Sequence, residues 1–416
     1  MTLAKSWRVT TLGALCAEGG GGVQTGPFGS QLHAADYVAV GVPSVMPQNI
    51  GDNTISADGI AMISDADAER LSKYRLRVGD IVYSRRGDVE KRAYVRPAND
   101  GWLCGTGCLR VRLGDAAPHD SQFISYQLGT AETRAWIVRH AVGATMPNLN
   151  TTILSNVPIS LPSLSGQRGI AEVLGALDAK IAANTKLGSL LGKHVDAAFA
   201  SIVGPWRNRV ALGDLVSITK GVSYRSVDLV PSSTALVTLK SIQRDGSYSP
   251  RGLKAFAGAF KDVQKLRVGD LVVAQTDLTQ AADVVGRAVR VPASSRFDTL
   301  VASLDIAIVR AMRGVESEFV LGVMRDQRFI EHCKSRTSGT TVLHLGKDAV
   351  QSFLAPEVSF ELQQRYAAEV GPAHHMRDAV ERESELLATT RDALLPLLMS
   401  GKIQVKDAEQ MVGDVV

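Results

Sequence analysis

The sequence predicts an α+β fold made twice: two similar domains of mixed sheet plus helices, separated by two long antiparallel helices that form a coiled-coil-like spacer. Three observations predict this internal pseudo-two-fold repeat. LRVGD occurs at 76–80 and again, 190 residues later, at 266–270. VTTLGAL at 9–15 echoes VALGDLV at 210–216, and QRGIAEV at 167–173 echoes QRYAAEV at 364–370, at offsets of 200 and 197. A similar offset held across most of the chain marks a duplicated half, because solenoid repeats are far shorter. Finally, two blocks of short β-rich runs alternate with two blocks of helical periodicity.

Residues 1–160 form the first domain. Runs at 44–50, 80–86, 93–98 and 108–113 read as strands set apart by Gly, Asp and Asn, and 120–140 reads as helical. Residues 161–204 form the first spacer helix. Ile170, Leu174, Leu177, Ile181, Asn184, Gly188, Leu191, Val195, Ala198 and Ile202 recur in steps of four and three, a seam held for more than four heptads. Asn184 is its polar member, a residue type that fixes register. Forty residues of helix span roughly 60 Å. Residues 205–357 return to strands, at 235–242, 270–276, 286–291 and 304–310. Residues 358–403 form the second spacer helix, with Tyr366, Ala373, Met376, Val380, Leu387, Leu394 and Leu397 on its seam. Gly371-Pro372 is expected to kink this helix or delay its start. Residues 404–416 are left as a frayed tail. Antiparallel packing of the two seams gives a dumbbell.

Composition narrows the function. A chain of 416 residues holds two domains or more, and 45% hydrophobic with 21% charged residues is ordinary for a globular protein. A net charge of +4 is compatible with nucleic acid without arguing for it. Cys16, Cys104, Cys108 and Cys333 are too scattered for a disulfide framework, and no second Cys/His pair completes a metal site around Cys104 and Cys108. Buried thiols and no metal are expected. The N-terminus lacks the apolar stretch of a signal peptide, and no apolar run approaches membrane-spanning length, so a cytoplasmic setting without membrane contact is expected.

No chemistry-bearing motif stands out. Gly19–Gly22 lacks the dinucleotide-binding spacing, and the glycines and lysine of 188–193 miss the P-loop pattern and fall mid-helix. His374-His375 reads as a solvated helix face. No catalytic residue is singled out, and no cofactor motif is present. What remains is polar, basic and glycine-rich. Gly26, Phe28 and Ser30 lie in a tight turn that can present backbone N–H groups and a hydroxyl to phosphate. Arg85, Arg86, Lys91 and Arg92 follow a strand, as phosphate or guanine contacts or as solvated charge. Gln48 and Asn49 end another strand, where they suit adenine contacts or ordinary capping. In the second half Gln275, Thr276 and Gln280 replace the arginine pair. Tyr224, Arg225, Lys240, Gln243, Arg244 and Thr341 complete the candidate set there. One frame with two loop chemistries suits a partner that has two similar binding places, such as a DNA duplex.

These segments also resemble a known family. Residues 26–50, 76–88, the turn Gly143 to Asn150 with Thr145 and Asn148, 159–181 and 394–405 resemble the specificity subunit of type I restriction-modification systems. The resemblance covers nearly the whole chain in family order. It implies two target-recognition domains, each reading one half of a split double-stranded DNA sequence. The helices would also hold two methyltransferase subunits that bind S-adenosylmethionine and methylate adenine N6. Restriction/translocase subunits would join for ATP- and Mg-dependent cleavage, and no cofactor would bind this chain itself. The second half departs from the pattern, with Gly221-Val222-Ser223-Tyr224-Arg225 in place of GPFGS. The competing reading is an assembly adaptor with one or both recognition domains not reading DNA.

Overall fold

The computed structural model describes residues 7–143, 145–279 and 281–413. The repeated pentapeptide is one turn built twice. Gly79 and Gly269 take φ values of +92° and +91°, a region that favours glycine. The aspartate that follows closes the turn. Asp80 Oδ2 accepts from the Arg77 amide at 2.8 Å, and Asp270 Oδ2 from the Arg267 amide at 2.9 Å. Each carboxylate also receives an arginine from a neighbouring strand. Arg112 donates to Asp80 at 2.7 and 2.6 Å, and Arg310 to Asp270 at 3.2 and 2.6 Å. The motif is therefore structural in both copies.

The chain divides into two compact units, Met1–Ala179 with Leu387–Val416, and Lys180–Leu386. In the first unit β1 (Arg8–Thr11) pairs with β10 (Pro158–Leu161). One four-stranded antiparallel sheet has the order β2 (Gly22–Thr25), β9 (Cys108–Arg112), β6 (Ile81–Ser84), β7 (Arg92–Tyr94). The other has the order β3 (Tyr37–Val38), β5 (Ala61–Ile63), β4 (Val42–Val45), β8 (Leu103–Cys104), with β4 and β8 parallel.

The second unit repeats the strand pair and the first sheet, and its second sheet places the parallel pair centrally rather than at an edge. Here β11 (Arg209–Ala211) pairs with β23 (Leu354–Pro356). The first sheet has the order β12 (Val216–Lys220), β20 (Ile306–Ala311), β16 (Leu271–Ala274), β18 (Ala288–Arg290). The second has the order β14 (Lys254–Ala255), β13 (Thr234–Val237), β19 (Thr299–Ala302), β15 (Lys265–Leu266), with β13 and β19 parallel. β6 and β16 are buried at every residue, which is why both read as apolar runs rather than alternating ones. The helical stretch expected at 120–140 is two helices, Ser121–Leu128 and Ala131–His140.

The long helices run Leu164–Val203 and Phe360–Met399. Within the first unit Ile170, Leu174, Leu177, Leu387 and Leu394 are buried, each full burial contributing about 1.5–3 kcal/mol. Asp178 meets Arg391 at 2.8 Å, and a Cβ on Gly169 would touch Val405, beyond the end of the second long helix. Within the second unit Asn184 Nδ2 donates to Glu383 at 2.7 Å and to the Val380 carbonyl at 3.4 Å, while Tyr366 reaches the Val195 carbonyl. These partners run in opposite senses, so the long helices are antiparallel there. Val195 and Val380 are buried, whereas Ile181 and Leu191 are only half-buried.

Several expectations are corrected. Gly371-Pro372 lies inside the second long helix and neither delays nor ends it. Met376 is exposed and off the seam, whereas His374, expected in solvent, is buried 3.1 Å from Glu318. The tail forms a helix, Val405–Gly413, with Ala408 fully buried. The helix offset is 196, not 197. Gln167 Oε1 accepts from the Asp120 amide and Gln363 Oε1 from the Glu316 amide, at 3.0 and 3.1 Å. The QR dipeptides align in letters, but one residue is about 100° of helix rotation, and burial selects Gln363.

Candidate nucleic-acid interface

The site grows from one end of the first-unit sheet β2-β9-β6-β7. β2 and β6 finish there, while β9 and β7 start there, so four loops gather at that edge. Close backbone approach welds them together. A Cβ on Gly26 would lie 2.1 Å from the Gly105 carbonyl. The Arg85 amide donates to the Gly107 carbonyl, and the Leu149 amide to the Arg85 carbonyl, each at 2.8 Å. Arg86 and Asn148 form a β-bridge.

This brings Phe28, Arg85, Arg86, Thr145 and Asn148 together. Phe28 is 52% exposed, and the Arg85 guanidinium lies 5.8 Å from its ring centroid. Arg85 Nε is buried with no hydrogen-bond partner among the described residues, and so is Asn148 Oδ1. Arg86 is exposed, and among the described residues its guanidinium meets no carboxylate. Ser30, Gln48 and Thr145 are exposed as well. Lys91 is exposed and pairs with Asp88 at 2.7 Å, a surface pair worth little and easily exchanged for another anion. The edge thus presents guanidinium, ammonium, amide, hydroxyl and aromatic groups, the set that contacts phosphates and base edges.

Three first-half candidates have other duties. Arg92 is 4% exposed and donates to the Ser125 carbonyl at 2.6 Å and to Asp52 at 3.2 Å. A guanidinium held inside must be paired, so this one is structural. Asn49 is 2% exposed, and its Oδ1 accepts from the Met46 amide at 3.0 Å. Gly26 is buried against Gly105, so its backbone packs rather than faces out.

The second unit has the same edge with different contents. The Leu345 amide donates to the Gln275 carbonyl at 2.8 Å, as Leu149 does to Arg85. Gln275, half-buried, thus stands where Arg85 stands. Thr276, expected to face DNA, is 8% exposed in β17 (Thr276–Asp277), which pairs with β22 (Leu343–Leu345), itself paired with β21 (Thr337–Ser338). Burial would raise the Asp277 carboxyl, but amides of Val284, Thr279 and Val285 and the Thr279 hydroxyl hold it below its usual range. Gln280 lies outside the described residues. Arg225, Lys240, Gln243, Arg244 and Thr341 are exposed, with Arg244 3.5 Å from Asp283. Tyr224 is half-buried beneath Lys254.

A repeated turn in the second half was missed. Gly143 and Gly339 take φ of +118° and +117°, and each would drive a Cβ into a carbonyl three residues on. They stand 196 residues apart, so Thr145 matches Thr341, and Asn148 matches the exposed His344. The legible signal was G-x-T followed by leucine four residues later, in both halves.

Burial raises the thiols of Cys16 to about 11 and of Cys104 and Cys333 to about 12. Among the described residues no group of His, Cys, Asp or Glu could hold a metal ion, and no helix is long and apolar enough to cross a membrane. Residues 41–191, which include Gln48, Arg85, Arg86 and Asn148 but not Phe28 or Ser30, match the model of the type I restriction modification DNA specificity domain. That stretch is similar to the specificity domain of type I restriction-modification systems. A putative type I restriction enzyme MjaX specificity subunit of Methanocaldococcus jannaschii is 26% identical over 159 residues, 37% of each chain. The match therefore spans little more than a third of that relative. The crystal structure of a type I restriction-modification system S subunit from M. genitalium aligns over 94% of this chain and 96% of its own, with a TM-score of 0.55 at 16% identity. The two chains share a fold. An HsdS subunit from Thermoanaerobacter tengcongensis aligns over 97% of this chain and 99% of its own at 17% identity, with a TM-score of 0.36.

Proposed function

We propose that the chain is the sequence-specific DNA-binding subunit of a type I restriction-modification complex. Each unit reads one half of a bipartite double-stranded target through its sheet edge. One observation carries the reading: two units with the same strand order in their β2-β9-β6-β7 and β12-β20-β16-β18 sheets and the same G-x-T turn present different side chains at the same edge. Arg85 and Arg86 occupy it in the first unit, while Gln275 and a buried Thr276 occupy it in the second. A repeated frame with changed contents is what reading two different half-sites requires.

The chain itself is non-catalytic and binds no cofactor. S-adenosylmethionine, ATP and Mg sit on partners: two methyltransferase subunits that modify adenine N6, and restriction/translocase subunits. The complex works in the cytoplasm. The alternative is an adaptor whose second unit does not read DNA, favoured by the way Thr276 and Asp277 are drawn into a small sheet of their own. The test is co-expression with its methyltransferase, followed by modification-sensitive sequencing. A motif of two unlike half-sites around an unread gap is expected. A one-sided motif selects the adaptor, and methylation or cleavage by the chain alone overturns the non-catalytic assignment.

A further inference from the structure

The two units hold a guanidinium in the same place by different routes. Helices Ser121–Leu128 and Ser317–Arg325 begin alike, on the Gln167 and Gln363 contacts. They end alike, because Thr130 and Asp326 each cap the next helix through a side-chain oxygen. Gly129 therefore matches Arg325. On the sheet, Arg92 faces Tyr83, the third residue of β6, and Ala288 faces Val273, the third residue of β16. Arg92 therefore matches Ala288. The first unit has arginine on the strand and glycine at the helix end, whereas the second has alanine on the strand and arginine at the helix end.

Both side chains fill one hole. A Cβ on Gly129 would lie 1.8 Å from Arg92 Nη2, so the strand arginine occupies the space that the residue at 325 fills in the other unit. Each hole borders a cavity, of about 250 Å³ in the first unit and about 300 Å³ in the second. Asp392 lines one, and its match 196 residues earlier, Asp196, lines the other.

Each guanidinium meets the corresponding turn, and the link to a long helix is direct for Arg325 and runs through Asp52 for Arg92. Arg92 holds Asp52, in the turn closed by the Ile50–Ile55 bridge, and Asp52 in turn lies 3.9 Å from Arg391 of a long helix. Arg325 donates to the Gly246 carbonyl at 3.1 Å, in the turn closed by the Ile242–Tyr248 bridge, and to both oxygens of Asp196 on a long helix, at 2.7 and 2.8 Å. Those turns directly follow Gln48 in one unit and carry Gln243 and Arg244 in the other.

We infer that this guanidinium, Arg92 in the first unit and Arg325 in the second, is the positioning group that fastens each reading turn to the long helix of its own unit. The inference rests on the DNA-reading function for its consequence, though not for its geometry. Gly129 has φ −91°, which any residue adopts, so arginine can be moved there.

The test exchanges the arrangements in the full-length chain. Arg92→Ala, the double variant R92A/G129R, Arg325→Gly and the double variant A288R/R325G are compared by hydrogen exchange without DNA. Exchange at 49–56 should rise about tenfold or more in Arg92→Ala, the loss expected for a charged hydrogen bond. It should return close to the wild-type rate in R92A/G129R, and 242–248 should behave likewise in the mirror pair. With methyltransferase subunits, selection from a pool of random-sequence duplexes should blur one half-site in Arg92→Ala and the other in Arg325→Gly, and each double variant should restore its own half. A double variant that exchanges as fast as the single, or a single that exchanges like wild type, overturns the clamp. If Arg92→Ala does not fold, a folded R92A/G129R supports it and an unfolded one overturns it. If wild type selects no motif, the DNA reading fails while the exchange result still decides the clamp.

Discussion

Asp80→Ala should unfold the first unit more readily than Asp270→Ala unfolds the second. In the first copy of the pentapeptide, Asp80 accepts from one amide and is gripped by Arg112 at 2.7 and 2.6 Å. The two side chains are 2% and 20% exposed. Breaking a buried pair from one side costs about 3–5 kcal/mol, because the remaining charge is left in a poor solvent. Arg112 keeps a bond to the Arg75 carbonyl at 3.1 Å and some water, which brings the loss to about 3 kcal/mol. Asp270 and Arg310 are 11% and 27% exposed, and Arg310 keeps two carbonyl partners, so about 2 kcal/mol is expected there. For units of this size each kcal/mol moves Tm by about 2–4 °C, so Asp80→Ala should lower the first-unit transition by about 6–12 °C. Calorimetry of the full chain, with hydrogen exchange on Ile81–Ser84 to assign the transition, measures this. A shift under about 2 °C, or no coupling between Asp80→Ala and Arg112→Ala in a double-mutant cycle, would refute the reasoning.

Arg86→Ala should weaken DNA binding without changing thermal stability; a phosphate contact lowers the salt slope by about one, a guanine contact costs about 1–3 kcal/mol at one position, and an unchanged titration removes Arg86 from the interface. Burial, opposed by Arg377, raises Glu381 from 4.5 to about 7, so its charged form penalises the fold as pH rises through that window. Glu381→Gln should therefore match wild type near pH 4.5 and gain up to about 3 kcal/mol by pH 8, as read by denaturant titration at the two pH values. Asn184→Ala should cost about 1–2 kcal/mol by removing the bond to Glu383, with Lys180 left 3.3 Å from that carboxylate. The four buried thiols should resist a soluble thiol reagent at pH 8 and react only as fast as the chain opens.

The sequence made the duplication legible because a turn needing glycine at positive φ and a closing aspartate tolerates few alternatives, so LRVGD survives in both halves. Strands such as β6 and β16 were legible as apolar runs, since they are covered on both faces. The helix offset was misread by one residue because letter matching cannot see which glutamine faces inward. His374 was misplaced for a related reason: Glu318, which gives it a buried partner, comes from a distant helix. At the reading edge, cations were visible as composition, but their duties were not. Arg85, Arg86 and Arg92 are close in sequence, yet only the fold turns Arg92 inward against Ser125 and leaves Arg86 in solvent.

The guanidinium that changes position between the halves limits how the halves can be recombined. A splice that joins the first unit's strand β7 to the second unit's Ser317–Arg325 brings Arg92 and Arg325 to one hole, and two like charges cannot share it. The opposite splice joins Ala288 to Gly129 and supplies no cation, leaving an empty hole and an acceptor without its donor. Crossovers between 92 and 129, or between 288 and 325, are thus incompatible although both parents fold, while exchange of a whole unit carries its matched pair along. Folded hybrids built by shuffling such chains are confined to breakpoints outside those two intervals.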